Sequence, residues 1–174
     1  MEQIKLTKPE GLDLRMATWI AQMNEVRQRL ITIIEDLDEA AIDFTPDERR
    51  IETIGTLLFH IAAIEFSWIF EDIYGEKFEE EEWKHAFALR PSVNIPQIKG
   101  KTKDYYVKKL ADVRERVLAE IPQETDLDRL VISDSSAYFS IEWILFHLIE
   151  HEAMHIGQIL FLKRLYALPF EKDT

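Results

Sequence analysis

The 174-residue chain is acidic, with a formal net charge of −12 and a pI near 4.9. This charge repels phosphate backbones and anionic membrane surfaces, so we expect neither a nucleic acid nor a membrane as a partner. The chain has no cysteine, which excludes disulfides, thiolate metal ligands and a cysteine nucleophile and leaves imidazole and carboxylate groups as metal ligands. Its length and 47% hydrophobic content predict one domain with a sizeable core, spanning residues 1–174.

The beginning of the chain, MEQIKLTKPEGLDL, lacks the apolar stretch of a signal peptide. No run of about 18 uncharged apolar residues follows it. We therefore expect a cytoplasmic protein.

Apolar residues recur at helical spacing in four long segments. The first predicted helix runs from Leu12 to Leu37 and ends before the segment DEAAIDFTPDER. The second begins after Thr53, a candidate N-cap, and ends at Gly75. Because it is apolar nearly all round, we expect it at the centre of the fold.

The irregular segment after Gly75 contains an acidic run, Glu79 to Glu82, which we interpret as a solvated loop, and His85, which we place at the surface. The third helix, Thr102 to Ile121, has a narrow apolar stripe, and the fourth runs from Ser140 to Leu168. The fold class is therefore all-α, a four-helix bundle with long connections after helices 2 and 3. In such bundles functional sites form between facing helices.

Three of the five histidines, His147, His151 and His155, lie at intervals of four in the fourth helix. His151 and His155 are one turn apart and can converge on one ion at about 2.0 to 2.1 Å each. His147 and His155 are about 12 Å apart along the axis, too far to share it. His147 is then a pocket residue, a donor behind the ligands or an ordinary core histidine.

A further ligand must come from elsewhere, and the second helix offers His60 on a small, apolar face. A buried imidazole needs partners for both ring nitrogens, and a shared metal ion would provide one. The alternative for His60 is a core histidine bonded to a backbone carbonyl. Three histidines would leave a coordination position open for water or substrate, as in catalytic zinc sites.

Two neighbours of these histidines are weaker candidates. Gln158 lies one turn beyond His155 and could orient a ligand or a bound water, or close the bundle by a hydrogen bond. Glu152 is a weak candidate for a catalytic base, with partial exposure or pairing to a neighbouring side chain as the alternatives. The sequence from His151 to His155 also fits the HExxH pattern of zinc proteases, but only 19 residues follow it, with no suitable third ligand among them.

The segments ETIGTLLFHIAAIEFSW and SIEWILFHLIEHEAMHIGQI resemble the DinB/YfiT-like superfamily of bacterial four-helix-bundle proteins. The hallmarks of that family are a histidine in the second helix and an HxxxHxGQ pattern in the fourth. The matching residues are His60, His151, His155, Gly157 and Gln158. The resemblance implies a divalent metal ion, commonly zinc or nickel, held by the three histidines, and often a homodimer.

Family membership fixes the activity less well than the fold. Characterised members include transferases that use low-molecular-weight thiols such as bacillithiol, and others are known only as stress-induced proteins. We expect a metal-dependent enzyme that acts on a small molecule, by S-transfer with such a thiol as cosubstrate or by hydrolysis. The alternative is a metal-stabilised, non-catalytic binding protein of the stress response, and an HExxH-type metalloprotease is a minor one.

Overall fold

The computed structural model describes residues 4–77, 96–133 and 137–168. The acidic run Glu79 to Glu82 and His85 lie outside these residues, so their predicted places stay predictions. Within the described residues the chain is mostly helical, and its four long helices confirm the predicted bundle.

The helices begin and end close to the predicted residues. Helix α1 spans Leu14–Ile34, a short α2 spans Glu39–Ile42, α3 spans Ile54–Phe66, α4 spans Lys103–Glu120 and α5 spans Ile141–Ala167. The backbone of α3 continues as a π-helix over Ser67–Ile73, and a 3-10 turn, Ile121–Gln123, follows α4.

Each long helix begins at a side chain that accepts hydrogen bonds from free backbone N–H groups of the first turn. Asp13 caps α1, Thr53 caps α3, Thr102 caps α4 and Ser140 caps α5. Polar caps of this kind stabilise a helix start by about 1 kcal/mol. The predicted N-cap at Thr53 is confirmed, and Gly75 adopts a left-handed φ of 72° just past the second long helix.

Helix α3 lies in the centre of the bundle, where it packs against α4 and α5, while α1 packs against α5. The α3 helix and its π-helical continuation, Ile54–Ile73, are apolar and long enough to cross a membrane by composition, but 72% of the most apolar window is buried inside the bundle. Gly55 permits a close approach to α4, since an added Cβ would lie 2.6 Å from the ring of Tyr106.

The connection between α4 and α5 contains two strands that the sequence did not predict. Strand β1, Leu130–Ile132, pairs antiparallel with β2, Tyr138–Ser140, in the register Val131 opposite Phe139. Because β2 runs directly into the Ser140 cap, the hairpin fixes where α5 begins. This places Phe139 beside the first turn of the helix that carries three histidines.

Candidate metal centre

Three histidine rings from α3 and α5 meet inside the bundle. The Nε2 atom of His151 lies 3.1 Å from Nε2 of His60 and 3.0 Å from Nε2 of His155. All three side chains are buried, with relative exposures of 5 to 9%. One ligand atom from each residue lies within 4.8 Å of the other two. The structure thus brings together the three residues that the sequence proposed as ligands.

Gln158 determines which nitrogen of His155 faces the cluster. Its side-chain oxygen can only accept, so Nδ1 of His155 must carry the hydrogen and donate to it. Nε2 of His155 then presents a bare lone pair to His151. This is the orienting role that the sequence analysis considered for Gln158, and such partners fix the ring of a metal ligand.

Hydrogen bonds between the rings cannot satisfy both short contacts. Since Nε2 of His155 has no hydrogen, His151 must donate to it through Nε2–H. The same nitrogen then has no lone pair left to accept from His60. A cation among the three Nε2 atoms would use a lone pair from each ring, so the donor set fits a metal ion better than it fits mutual hydrogen bonding.

The observed separations also agree with coordination of one ion. Two nitrogens that are each about 2.0 to 2.1 Å from a zinc ion, at angles between octahedral and tetrahedral, are about 2.9 to 3.4 Å apart. The two contacts of His151 fall in this range. The residues present therefore fit a divalent ion with three protein ligands.

The surroundings keep the rings in the neutral form that a metal requires. Burial, together with charge repulsion from His155 and His60, lowers the pKa of His151 to about 2. Burial likewise lowers the pKa of His155. At neutral pH both imidazoles are available as ligands without losing a proton first.

His147 lies beside the cluster and outside the ligand set. Its ring stacks on Trp143 at a centroid distance of 5.0 Å and an angle of 10°, and it meets the edge of Trp68 at 5.3 Å. The ring of His151 is 5.9 Å away. Phe139 from β2 completes this aromatic cluster at 4.5 Å from Trp143. His147 thus joins the buried histidines to a partly exposed aromatic wall.

Next to the histidines, four charged side chains form a buried ionic quartet, which consists of Arg27 from α1, Glu65 from α3, Arg114 from α4 and Glu152 from α5. Their relative exposures are 2 to 8%. Arg27 donates to Glu65 at 2.6 Å through Nη2 and to Glu152 at 2.6 Å through Nε. Arg114 donates to both carboxylates as well. Two positive and two negative charges therefore cancel, and one residue comes from each long helix.

The arginines also bond to the backbone of neighbouring helices. Arg27 donates to the carbonyl of Leu110 in α4, and Arg114 donates to the carbonyl of Met23 in α1. Desolvation alone would raise the pKa of Glu65, but Arg114 and Arg27 together hold it below its ordinary value. Glu65 thus stays ionised, as its hydrogen bonds to both arginines require.

Glu152 belongs to this quartet, and both of its carboxylate oxygens accept from arginines. Of the alternatives drawn from the sequence, pairing is the one observed, and partial exposure is wrong because Glu152 is 2% exposed. The geometry gives the base role no support. The metalloprotease alternative loses its basis too, since it needs this glutamate free and a ligand beyond His155, whereas His60 precedes the pair.

The other three members of the quartet were not predicted from the sequence. A signal was present, because Glu65 is the sole charged residue between Ile54 and Phe70. A charge on an apolar helix is rarely buried without a partner. The partners on α1 and α4 could not be singled out, since α1 carries three arginines and α4 carries two arginines and three lysines.

Comparison with known proteins agrees with this fold. The chain has the fold of YfiT from Bacillus subtilis, described as a probable metal-dependent hydrolase with an unusual four-helix-bundle topology, at a TM-score of 0.61 and 18% identity over 94% of this chain and 95% of that one. It also matches a conserved protein from Enterococcus faecalis at a TM-score of 0.54 and 16% identity, over 85% and 94% of the two chains. None of the curated proteins matches the sequence.

The profile of the DinB superfamily matches residues 22–159, which is most of the chain. The matched range contains His60, His151, His155 and Gln158, and it ends at the core residue Ile159 of α5. The chain belongs to the DinB superfamily.

Proposed function

We propose that this protein is a metal-dependent enzyme that hydrolyses a small molecule, with His60, His151 and His155 as the protein ligands of a zinc or nickel ion. The convergence of three Nε2 atoms from two helices carries the proposal. Three protein ligands leave room in the coordination shell, whereas structural zinc sites are closed by four. The description of YfiT as a probable metal-dependent hydrolase adds support.

A divalent ion held by these three histidines would lower the pKa of a bound water or thiol and would polarise a carbonyl oxygen. The chain's own residues supply the rest of the site. Gln158 keeps the lone pair of His155 directed inward, and the ionic quartet holds α3 and α5 in the register that the three rings need. Burial of the rings limits competition by bulk water.

The aromatic cluster indicates which class of substrate the protein would bind. It consists of Phe139, Trp68, Trp143 and His147. Trp143 is 39% exposed although it stacks on His147, so part of this apolar wall faces solvent. The ring of His147 in turn contacts the ring of His151. Such a wall would contact a flat or apolar group of a small molecule. We therefore favour an ester or amide with an apolar substituent.

Metal binding is the first test. Elemental analysis of the protein after removal and reloading of zinc or nickel should find one ion per chain. His60→Ala and His151→Ala should lose it, while the control His147→Ala should keep it, because His147 lies outside the ligand set. Full occupancy in His60→Ala would contradict the site.

Turnover is the second test. The reloaded protein is assayed against model esters and amides, and for consumption of an added thiol with model electrophiles, because the chain has no thiol of its own. Metal-dependent hydrolysis supports the proposal. Thiol consumption alone would assign S-transfer at the same site, and an occupied site without turnover of either kind would favour a metal-stabilised binding protein.

A further inference from the structure

A cavity of about 430 Å³ lies between α1 and α4, next to the ionic quartet. Its volume is in the range of small-molecule sites, about 300 to 1,000 Å³. The cavity follows α4 from Val107 to Leu118, which is about 16 Å along the helix axis. The residues that line this α1–α4 cavity are Arg27 and Ile31 of α1 and Val107, Leu110, Ala111, Arg114, Glu115 and Leu118 of α4. They include no ligand histidine and no member of the aromatic cluster, so the cavity is separate from the candidate metal centre.

The walls of the α1–α4 cavity are mostly apolar. Five of its eight lining side chains are aliphatic. Among them Leu110 is buried and Ala111 is exposed, so the cavity reaches from the core to solvent. Apolar walls around a small number of polar groups are the usual composition of a site that binds a small molecule.

Arg27 and Arg114 supply the polar groups, and each has one N–H group without a hydrogen bond to the described parts of the chain. A guanidinium group has five N–H donors. Arg27 uses one on Glu65, two on Glu152 and one on a backbone carbonyl. Arg114 uses two on Glu65, one on Glu152 and one on a backbone carbonyl. The unused N–H is on Nη1 of each arginine, and both side chains are at most 8% exposed. A buried N–H gains from an acceptor, so a ligand of this cavity should carry an oxygen that accepts hydrogen bonds.

The charges around the cavity favour a neutral ligand. Arg27 and Arg114 are already balanced by two carboxylates, so an anion would leave an excess negative charge in a buried place. The exposed carboxylate of Glu115, which also lines the cavity, and the net charge of −12 both act against an anion. A carbonyl oxygen has two lone pairs and no charge, so it can accept from both arginines without this cost.

We propose that the α1–α4 cavity binds a neutral small molecule that has an elongated apolar body and a carbonyl oxygen. The apolar body lies along α4 between Val107 and Leu118, and the oxygen accepts from Nη1 of Arg27 and Arg114. Because no metal ligand lines the cavity, this molecule is a second ligand of the protein and not a substrate at the three histidines.

The test uses the full chain and measures binding of methyl hexyl ketone by isothermal titration calorimetry. A ketone has no ester or amide bond, so the reading does not depend on turnover and is separate from the tests of the proposed function. The dissociation constant should be below about 1 mM. Ala111→Phe should raise it at least about 10-fold, because the larger side chain fills the cavity. Residue 111 is exposed, so this variant should keep the helical circular dichroism. The matched control Ala119→Phe, on an exposed part of α4 outside the cavity, should bind the ketone as the unaltered protein does.

Two relatives of the ketone test the role of its oxygen. Heptanoate, in which a charged oxygen replaces the methyl group, should bind at least about 10-fold more weakly, because its charge is not balanced. The alkene in which a CH₂ group replaces the carbonyl oxygen should also bind about 10-fold more weakly, because it leaves the two N–H groups without an acceptor. Heptanoate binding as tightly as the ketone would overturn the proposal, and so would ketone binding that Ala111→Phe leaves unchanged. Binding that Trp143→Ala removes would place the ketone at the aromatic cluster and would overturn it as well.

Discussion

Replacing Glu152 with glutamine should destabilise the fold strongly, because it unbalances the ionic quartet. Glu152 accepts from Arg27 at 2.6 and 3.2 Å and from Arg114 at 3.2 Å, and it is 2% exposed. Without its charge, two buried guanidinium groups share the single carboxylate of Glu65. Leaving a buried charge without its partner costs about 3 to 5 kcal/mol. That is at least about a fifth of the roughly 5 to 15 kcal/mol by which an ordinary domain is stable.

Urea titration at fixed protein concentration measures this effect. The urea concentration at the unfolding midpoint should fall, with little change in the dependence of the unfolding free energy on urea. The melting temperature should fall by roughly 6 to 20 °C, at about 2 to 4 °C per kcal/mol for a chain of this size. Glu115→Gln is the matched control, since Glu115 is exposed beside Arg114. The control should change the free energy of unfolding by less than about 0.5 kcal/mol.

A double variant separates charge balance from loss of packing. Arg27→Met combined with Glu152→Leu removes one charge of each sign and leaves Arg114 bonded to Glu65. Its cost should be well below the sum of the two single substitutions, because the quartet remains neutral. A loss under about 1 kcal/mol for Glu152→Gln, or additive costs in the double variant, would refute this account.

Three further predictions concern the metal centre, the ionic charges and the close helix contact. Gln158→Ala should weaken metal binding about 10- to 100-fold in a chelator competition, because His155 loses the acceptor that fixes its ring; unchanged affinity would contradict that role. The pKa of Glu65 is lower in the folded than in the unfolded protein, so its contribution to stability should be complete above the unfolded value of about 4.3 and should be lost as the pH falls through the folded pKa. The free energy of unfolding, measured from pH 7 to pH 2, should therefore fall less steeply below pH ~4 for Glu65→Gln than for the wild type. Parallel pH dependences of the two proteins would contradict this role of Glu65. Gly55→Ala should cost about 1 to 3 kcal/mol in thermal unfolding, since its Cβ would lie 2.6 Å from the Tyr106 ring, and a neutral result would show that α3 and α4 separate easily.

The long helices could be predicted from sequence because their signals are local. Apolar residues at spacings of three and four mark the buried faces, and polar caps such as Thr53 mark the starts. The histidine cluster could be predicted for a related reason. Two of its members are one turn apart on one helix, and among the residues that the structure describes His60 is the only other histidine on a buried face of another helix.

The features that were missed depend on contacts between distant segments. Strands β1 and β2 have three residues each, too few to show an alternating pattern, and their pairing becomes clear only when the chain between α4 and α5 is folded back. The quartet likewise needs the relative rotation of four helices. No rule of sequence spacing links Arg27 to Glu152, which are 125 residues apart.

The π-helical turns at Ser67–Ile73 bear on how this chain should be aligned with its relatives. A stretch of this kind accommodates about one residue more than an α-helix between the same two ends. A homologue with one residue fewer in this segment could keep His60 in place. A different side chain would then lie at the position where Trp68 contacts His147 in this chain. A one-residue gap at this point of an alignment would thus mark an evolutionary change in the aromatic wall without any change at the three histidines.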